Sequence, residues 1–214
     1  MKMISRLICG VLAAAMAMTM VALAVSPAGE GTPVQDTPSD WALKEVTAAI
    51  EAGLVPENLQ GNYSGTVTRG EVAQMFINLI EKTVGQPVYE FLAAKGTTVN
   101  TTAFSDTNDS AVLAANALGL IRGVGDGRFD VNGTLTRAHI AAIINRYAIQ
   151  LGTNVSGYSH SFTDVSGHWV DSELGWPLHA KIINGVGDGK FDPDGKLTIE
   201  QAIVITYRAL LAEK

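Results

Sequence analysis

Residues 121–136 read IRGVGDGRFDVNGTLT, and residues 183–198 read INGVGDGKFDPDGKLT, with 11 of the 16 positions identical. Both stretches follow a Phe-Ser/Thr-Asp opening, which starts at Phe104 in one case and at Phe162 in the other. A more divergent copy runs from about Asp36 to Thr83, and there a different turn-rich segment, residues 55–65, replaces the Gly-Asp-Gly loop. The chain therefore holds three copies of one unit, and this repetition is the main guide to its fold.

A long helix is predicted after a threonine in each copy, at Thr68, Thr136 and Thr198. Positions 4, 7, 8, 11 and 12 after each threonine are almost all apolar, which forms one stripe along a helix. These positions are Val72, Met75, Phe76, Leu79 and Ile80; Ile140, Ile143, Ile144, Tyr147 and Ala148; and Ala202, Ile205, Thr206, Ala209 and Leu210. One helix cannot bury its stripe alone, so we expect the three to pack together. The predicted fold class is mainly α, built from three helix–loop–helix repeats.

A shorter helix is expected before each loop. Gly53 and Gly119 stand where a glycine would end this helix in the first and second copies. The third copy has Lys181 at that position and Pro177 inside the helix. Because proline disrupts a helix interior, we expect a kink or an early stop near Trp176.

The N-terminus has the features of a secretory signal peptide. Lys2 and Arg6 precede an apolar run, and Ala22-Leu23-Ala24 is a small-x-small cleavage pattern, so cleavage is expected after Ala24. Removing residues 1–24 changes the formal net charge from −6 to −8 and takes away Cys9, the only cysteine. An acidic mature chain disfavours nucleic acid as a partner. No second apolar run is long enough to span a membrane.

The predicted organisation follows the repeats. We expect a signal peptide at residues 1–24 and a flexible lead at 25–35, then repeats at 36–84, 104–149 and 162–212. Linkers rich in Gly, Thr, Asn and Ser separate the repeats at 85–103 and 150–161.

Several site types fit the sequence poorly. The glycine-rich loops follow helices and have the wrong spacing for a dinucleotide site, whereas Asp-Gly pairs are strong tight-turn signals. A calcium loop would place Arg128 and Lys190 at the first ligand position. Three histidines (His160, His168 and His179) with Asp164 are weak support for zinc, so no metal or cofactor is predicted. Paired carboxylates keep an enzyme open as an alternative.

The Thr-Arg-x-Glu motif is the most informative. Thr68 with Glu71 forms a capping box, as Thr198 with Gln201 does. The box does not explain Arg69 or Arg137, whose charge has the wrong sign for a helix N-terminus. The arginine stem could cover apolar surface with its head in water. Alternatively, the guanidinium and free backbone N–H groups could bind an anion, and alanine there would then leave stability level or slightly higher.

The whole pattern resembles the surface-layer homology (SLH) repeat of bacterial envelope proteins. The residues that carry the resemblance are Phe-Thr-Asp-Val-x-x-His-Trp from Phe162, the Gly-Asp-Gly loop, and Leu-Thr-Arg-Ala before an apolar helix. The resemblance implies a pseudo-threefold spindle around a central three-helix bundle. It also implies that grooves bind secondary cell-wall polysaccharide through a terminal pyruvyl-ketal sugar, whose carboxylate contacts the motif arginine.

The resemblance assigns ligand-binding residues position by position. It selects the two motif arginines, two tryptophans and the loop residues, namely Arg69, Arg137, Trp41, Trp169, Gly125, Asp126, Gly187 and Asp188. The third copy has Ile199 in place of the arginine, and the second has Ala111 in place of the tryptophan. Glu200 is expected to compete for backbone N–H groups and to repel an anion, and Pro177 and Lys181 to displace a groove wall. We therefore expect at most two competent grooves.

The functional prediction is a non-catalytic module that anchors to secondary cell-wall polysaccharide, a pyruvylated acidic glycan. Its predicted location is the cell wall or surface layer of a bacterium. One alternative is an envelope assembly or scaffold subunit whose partner is another protein. A polysaccharide-processing enzyme is a further alternative, which would require a carboxylate pair in a deep cleft.

Overall fold

The computed structural model describes residues 37–213. The expected signal peptide and the lead at 25–35 lie outside these residues. The described chain forms seven α-helices: α1 Leu43–Glu51, α2 Arg69–Val84, α3 Val88–Ala94, α4 Ser110–Ala117, α5 Arg137–Gln150, α6 Gly175–His179 and α7 Ile199–Ala212. Two 3-10 turns lie at Glu57–Leu59 and Asp171–Glu173, and within 37–213 the extended residues form isolated bridges only. The mainly α class is confirmed.

Capping boxes start the three long helices. Glu71 N–H donates to Thr68 Oγ1 at 3.3 Å, and Thr68 N–H donates to Glu71 Oε2 at 2.7 Å. Thr198 and Gln201 make the same reciprocal pair at 3.3 and 3.1 Å. The second copy, for which no box was predicted, uses His139, whose Nδ1 lies 3.3 Å from the Thr136 nitrogen. The threonine before each helix therefore fixes where α2, α5 and α7 begin.

The predicted apolar stripes of α2, α5 and α7 are buried and belong to one continuous core. Helix α2 packs against both α7 and α4, and α7 also packs against α1. The rings of Phe76 and Tyr147 join α2 to α5 in an edge-on contact with centroids 6.1 Å apart. The Thr83 and Tyr147 hydroxyls share a hydrogen bond of 2.9 Å beside these rings. The stripe prediction is confirmed.

The three copies are joined in a closed ring. Thr68, at the start of α2, forms a bridge with Thr134 of the second copy. Thr136 pairs in the same way with Lys196 of the third copy, and Thr198 pairs with Thr66 of the first. Each long helix thus begins against the loop of the next copy, and the last copy returns to the first. This cyclic order agrees with threefold pseudosymmetry, while the spindle shape stays a prediction.

The first N–H groups of the long helices are occupied. Arg69 N–H donates to Gly133 O at 2.8 Å, and Gly70 N–H donates to Val131 O at 2.9 Å. The same two bonds recur in the other copies: from Arg137 to Gly195 and from Ala138 to Pro193, and from Ile199 to Gly65 and from Glu200 to Tyr63. The expectation that free N–H groups bind an anion is therefore wrong, because the next copy's loop already uses them.

Tight turns form at both Gly-Asp-Gly sequences. Asp126 and Gly127 have φ of 49° and 65°, and Asp188 and Gly189 have φ of 50° and 67°. Two successive residues with positive φ make a type I′ turn, which favours Asp-Gly. Arg128 N–H closes the first turn by donating to Gly125 O at 2.9 Å. After each turn a phenylalanine, Phe129 or Phe191, enters the core, as predicted.

The short helices differ between copies. Gly53 and Gly119 end α1 and α4 with φ of 73° and 69°, which confirms their predicted role. The interruption expected near Trp176 falls at Leu174, between the 3-10 turn at Asp171–Glu173 and helix α6, which has only five residues. Pro177 lies in the first turn of α6, where its missing N–H leaves no helix bond unmade. The segment expected to be a linker, 85–103, contains helix α3, whose Val88 and Leu92 are buried.

Replacing Lys181 by glycine should raise the free energy of unfolding by about 0.5–1 kcal/mol. Lys181 is exposed and has φ of 58°, at the position where the other two copies have glycine. Urea denaturation at neutral pH measures the difference. Gly119→Lys is the reverse control and should lower stability by a similar amount; equal stability of all three proteins would contradict the argument.

Candidate functional site

Two grooves, each lined by residues of all three repeats, form the candidate site. Groove 1 is lined by Arg69, His139, Arg146, Trp169 and the loop at residues 120–124. Groove 2 is lined by the corresponding residues Arg137, Gln201, Arg208, Trp41 and the loop at residues 182–185. The motif arginine, the long helix and the tryptophan come from successive copies in both grooves. The cyclic order of the repeats therefore builds each groove.

In groove 1 the motif arginine locks two repeats together. Arg69 Nε donates to Phe129 O at 2.9 Å, and its Nη2 donates to Arg122 O at 2.6 Å. Its guanidinium carbon lies 4.7 Å from the centre of the Phe129 ring. The side chain is only 7% exposed, so its head is not in open water as one interpretation required. Nη1 makes no hydrogen bond within residues 37–213 and remains available to a ligand.

Arg137 makes the same set of contacts in groove 2. Its Nε donates to Phe191 O at 2.7 Å, its Nη2 donates to Asn184 O at 2.5 Å, and its guanidinium lies 4.7 Å from the Phe191 ring centre. Burial lowers the pKa of both arginines. Nearby carboxylates oppose this effect: Asp130 and Asp106 near Arg69, and Asp192 and Asp164 near Arg137. An arginine stays charged in a protein, so each groove presents a partly desolvated cation that favours an anion.

A second arginine lies in each groove, and the sequence analysis missed both. Arg146 and Arg208 stand nine residues after Arg137 and Ile199, respectively. Arg208 donates from Nε and Nη2 to the two carboxylate oxygens of Glu45, at 2.7 Å each, and this hydrogen bonding raises the pKa of Arg208. Arg146 is held more loosely, with Nη2 3.6 Å from Glu173 Oε1. The shared offset in two copies was the available signal.

Both predicted tryptophans lie in these grooves and expose about half of their surface, 54% for Trp41 and 51% for Trp169. The His139 and Trp169 rings are 5.4 Å apart in groove 1. An exposed indole next to a cation offers a flat apolar face for a sugar ring, with the charge beside it for an acidic substituent. The structure thus brings Arg69 together with Trp169, and Arg137 with Trp41.

The other predicted ligand residues occupy a different place. Gly125, Asp126, Gly187 and Asp188 form the exposed type I′ turns and are not among the residues that line either groove. Their part in ligand binding stays a prediction. Asp106 holds the first of these loops, because its carboxylate accepts from Phe129 N–H and from Asp130 N–H, each at 2.8 Å.

At the third symmetry-related position the key side chains are different. Ile199, Asn78 and Ala111 stand where groove 1 has Arg69, Arg146 and Trp169. Gly61 occupies the position of Phe129, counted back from the carbonyl that caps each helix. The third position therefore lacks both arginines, the phenylalanine ring that supports the motif arginine, and the tryptophan.

Two of the reasons expected for a weak third groove are wrong. Glu200 does not compete for the N–H groups of its helix, because its carboxylate accepts from Ser39 N–H and Ser39 Oγ–H at 2.9 Å each. Lys181 and Pro177 precede residues 182–185, which line groove 2 and not the region of Ile199. The side-chain substitutions themselves distinguish the third position.

Other site types find no support in residues 37–213. No group of three or more His, Cys, Asp or Glu side chains there could hold a metal ion. Within the same residues, no helix has both the length and the apolar character needed to cross a membrane.

Comparison with protein families agrees with the repeat architecture. The S-layer homology domain family matches residues 104–141 and 161–203, which fall in the second and third repeats. The second and third repeats therefore match S-layer homology domains, as the sequence resemblance predicted. The divergent first repeat lies outside the matched residues.

Curated relatives carry similar sequence within much longer proteins. A cell surface protein of Thermoanaerobacter kivui is 35% identical over 51% of this chain and 16% of its own length. An S-layer protein of Bacillus licheniformis is 26% identical over 90% of this chain and 21% of its own length. A cellulosome-anchoring protein of Acetivibrio thermocellus is 24% identical over 67% of this chain and 32% of its own length. The chain thus spans a third or less of these relatives.

Proposed function

We propose that this cell-surface protein anchors to the cell wall by holding an acidic glycan in grooves 1 and 2. One observation carries the proposal: two arginines and a half-exposed tryptophan recur in both grooves at equivalent positions, although each set comes from three different repeats. The printed names of the relatives include a middle cell wall protein and a cellulosome-anchoring protein, which supports a wall-anchoring function. The proposed function is that of a non-catalytic binding module.

A sugar that carries a carboxylate close to its ring fits these side chains. The ring can stack on the exposed indole, while the carboxylate accepts from the free Nη1 of the motif arginine. A terminal pyruvyl ketal places a carboxylate in this way, and its negative charge suits the partly desolvated motif arginines. We therefore assign a pyruvylated secondary cell-wall polysaccharide as the ligand.

Two grooves on one module also suit a repetitive polymer. A single groove with one or two charge-assisted contacts gives modest affinity, but a second groove that engages the same wall acts at high effective concentration. Binding to intact walls should therefore be tighter than binding to a single sugar end group.

Sedimentation with purified cell walls tests the function. The protein should pellet with native walls and stay in the supernatant after mild acid has hydrolysed the ketal. Pelleting that survives acid treatment but is lost when wall proteins are stripped would instead favour the scaffold alternative. The matched control is a wall preparation that receives the same acid treatment and is then chemically re-pyruvylated. The protein should again sediment with these walls.

Replacing both tryptophans, Trp41→Ala and Trp169→Ala, should weaken wall binding by at least about 100-fold, with each single change contributing about tenfold. The stacking surface of both grooves is lost, while the melting temperature changes little because both indoles are half exposed. Leu211→Ala removes an exposed apolar side chain outside the grooves and serves as control. Wall binding equal to wild type in the double variant would contradict the site assignment.

A further inference from the structure

We propose that groove 1 is proton-linked, so that its affinity for an anionic ligand rises as the pH falls, and that His139 takes up the proton; groove 2 lacks this response. The inference rests on the proposed function. It distinguishes two grooves that share the same arginines and tryptophan and would otherwise be expected to bind alike. The difference lies at one position, three residues after the motif threonine.

This position has two roles at once. In all three copies its side chain closes the capping box, as Glu71, His139 or Gln201. In the second and third copies it also lines a groove, so groove 1 contains an imidazole where groove 2 contains an uncharged amide. Of the two, only the imidazole changes charge between pH 5 and 8.

The capping box sets the neutral form of His139. Its Nδ1 lies 3.3 Å from the Thr136 nitrogen and 2.8 Å from Thr136 Oγ1, so the neutral ring accepts at Nδ1 and carries its proton on Nε2. Nε2 has no hydrogen-bond partner within residues 37–213. On protonation, the Nδ1–H can donate to Thr136 Oγ1 at the cost of the bond from Thr136 N–H. The cap therefore permits the charged ring without favouring it.

The charges around His139 also favour the neutral ring while the groove is empty. Burial lowers the pKa of His139. The positive charges of Arg69 from α2, Arg146 from α5 and His168 from the segment before Trp169 lower it further. Asp194, in the loop of the third repeat, acts in the opposite direction and raises it. Glu173 is paired with Arg146 at 3.6 Å and offsets part of that charge. His139 is thus neutral in the free protein at pH 7.

A bound carboxylate changes this balance. A negative charge between Arg69 and Arg146 offsets their repulsion and attracts the imidazolium, so the pKa of His139 rises on binding. When a ligand raises a pKa, proton uptake accompanies binding. The affinity for the ligand then increases as the pH falls toward the pKa of the same group in the unliganded protein. A ligand carboxylate of ordinary acidity stays ionised down to about pH 4, so it does not mask the effect.

Calorimetric titration at pH 7.5 and pH 5.5 tests the proposal, with the methyl glycoside of a pyruvyl-ketal hexose, which has no group but the carboxylate to titrate, as the probe. Trp41→Ala is first introduced so that groove 1 dominates, and affinity should then rise about three- to tenfold at the lower pH. Adding His139→Gln, which copies the amide of groove 2 and keeps a cap acceptor, should abolish the rise. Circular dichroism at both pH values verifies that each variant is folded.

The reciprocal exchange gives the matched control. In a Trp169→Ala background, where groove 2 dominates, the affinity should be the same at pH 7.5 and pH 5.5. Adding Gln201→His should make the affinity higher at pH 5.5. His168→Gln in the Trp41→Ala background should keep the response. Equal pH dependence with and without His139→Gln, or a response that follows His168 instead, overturns the proposal while the proposed function stands. No binding by any protein at either pH overturns the proposed function and this inference with it.

Discussion

Replacing Arg69 by alanine should lower the free energy of unfolding by about 2–4 kcal/mol and the melting temperature by about 5–15 °C. The change leaves the carbonyl oxygens of Phe129 and Arg122 without their donors and removes the cation from the Phe129 ring. This corrects the sequence-based expectation of level or higher stability, which considered only the helix dipole. Differential scanning calorimetry of the purified protein measures the shift.

Ligand binding should also weaken by at least about tenfold at groove 1, measured well below the melting temperature of the variant. Arg69→Lys is the informative control: it keeps a positive charge, but its single nitrogen cannot take the places of both Nε and Nη2, which donate to different carbonyls. We expect Lys to recover part of the binding and little of the stability. Arg137→Ala should repeat both effects at groove 2. A variant that melts like wild type would contradict the role assigned to the guanidinium.

Introducing arginine at Ile199 should create no third site and should cost about 3 kcal/mol or more in stability. Ile199 is 4% exposed, so the new guanidinium would be buried. The ring that supports Arg69 and Arg137 is absent, since Gly61 stands at that position. The Glu200 carboxylate is already engaged by Ser39. Chemical denaturation gives the stability, and titration gives the number of sites.

Ile199→Met is the control, because an uncharged side chain of similar size should cost less than about 1.5 kcal/mol. Adding phenylalanine at position 61 is not a simple rescue, since Gly61 has φ of 127°, which side chains rarely adopt. One additional full-strength site in the Ile199→Arg protein would show that loss of the arginine alone had silenced the third position.

The repeat and its helices could be predicted because they depend on local patterns. Apolar offsets after Thr68, Thr136 and Thr198 determine which face is buried, and Asp-Gly determines the turns. The unpredicted cap at His139 shows the limit of a motif, because imidazole can replace Glu or Gln as an acceptor. Helix α3 was missed because its seven residues lie in a segment judged by composition alone.

The site was only half predictable, for a different reason. Arg69 and Arg137 were found from the Thr-Arg motif and the two tryptophans from the family resemblance, but which arginine meets which tryptophan depends on the order of copies around the ring. Arg146 and Arg208 carry no motif of their own and enter the grooves only through that arrangement. The prediction of free helix N–H groups failed because every acceptor belongs to another copy and lies more than 50 residues away in sequence.

The three repeats form a ring, in which no repeat lies at an end. Bridges close this ring from Thr68 to Thr134, from Thr136 to Lys196 and from Thr198 to Thr66. A linear array of repeats can gain or lose a unit, because each unit needs only its neighbours. Here every long helix is capped by another copy, so removal of one copy would uncap a helix and open every groove that it helps to line. The number of positions is therefore set at three, and new binding properties must arise by substitution within them, as at Ile199 and His139, rather than by change in copy number.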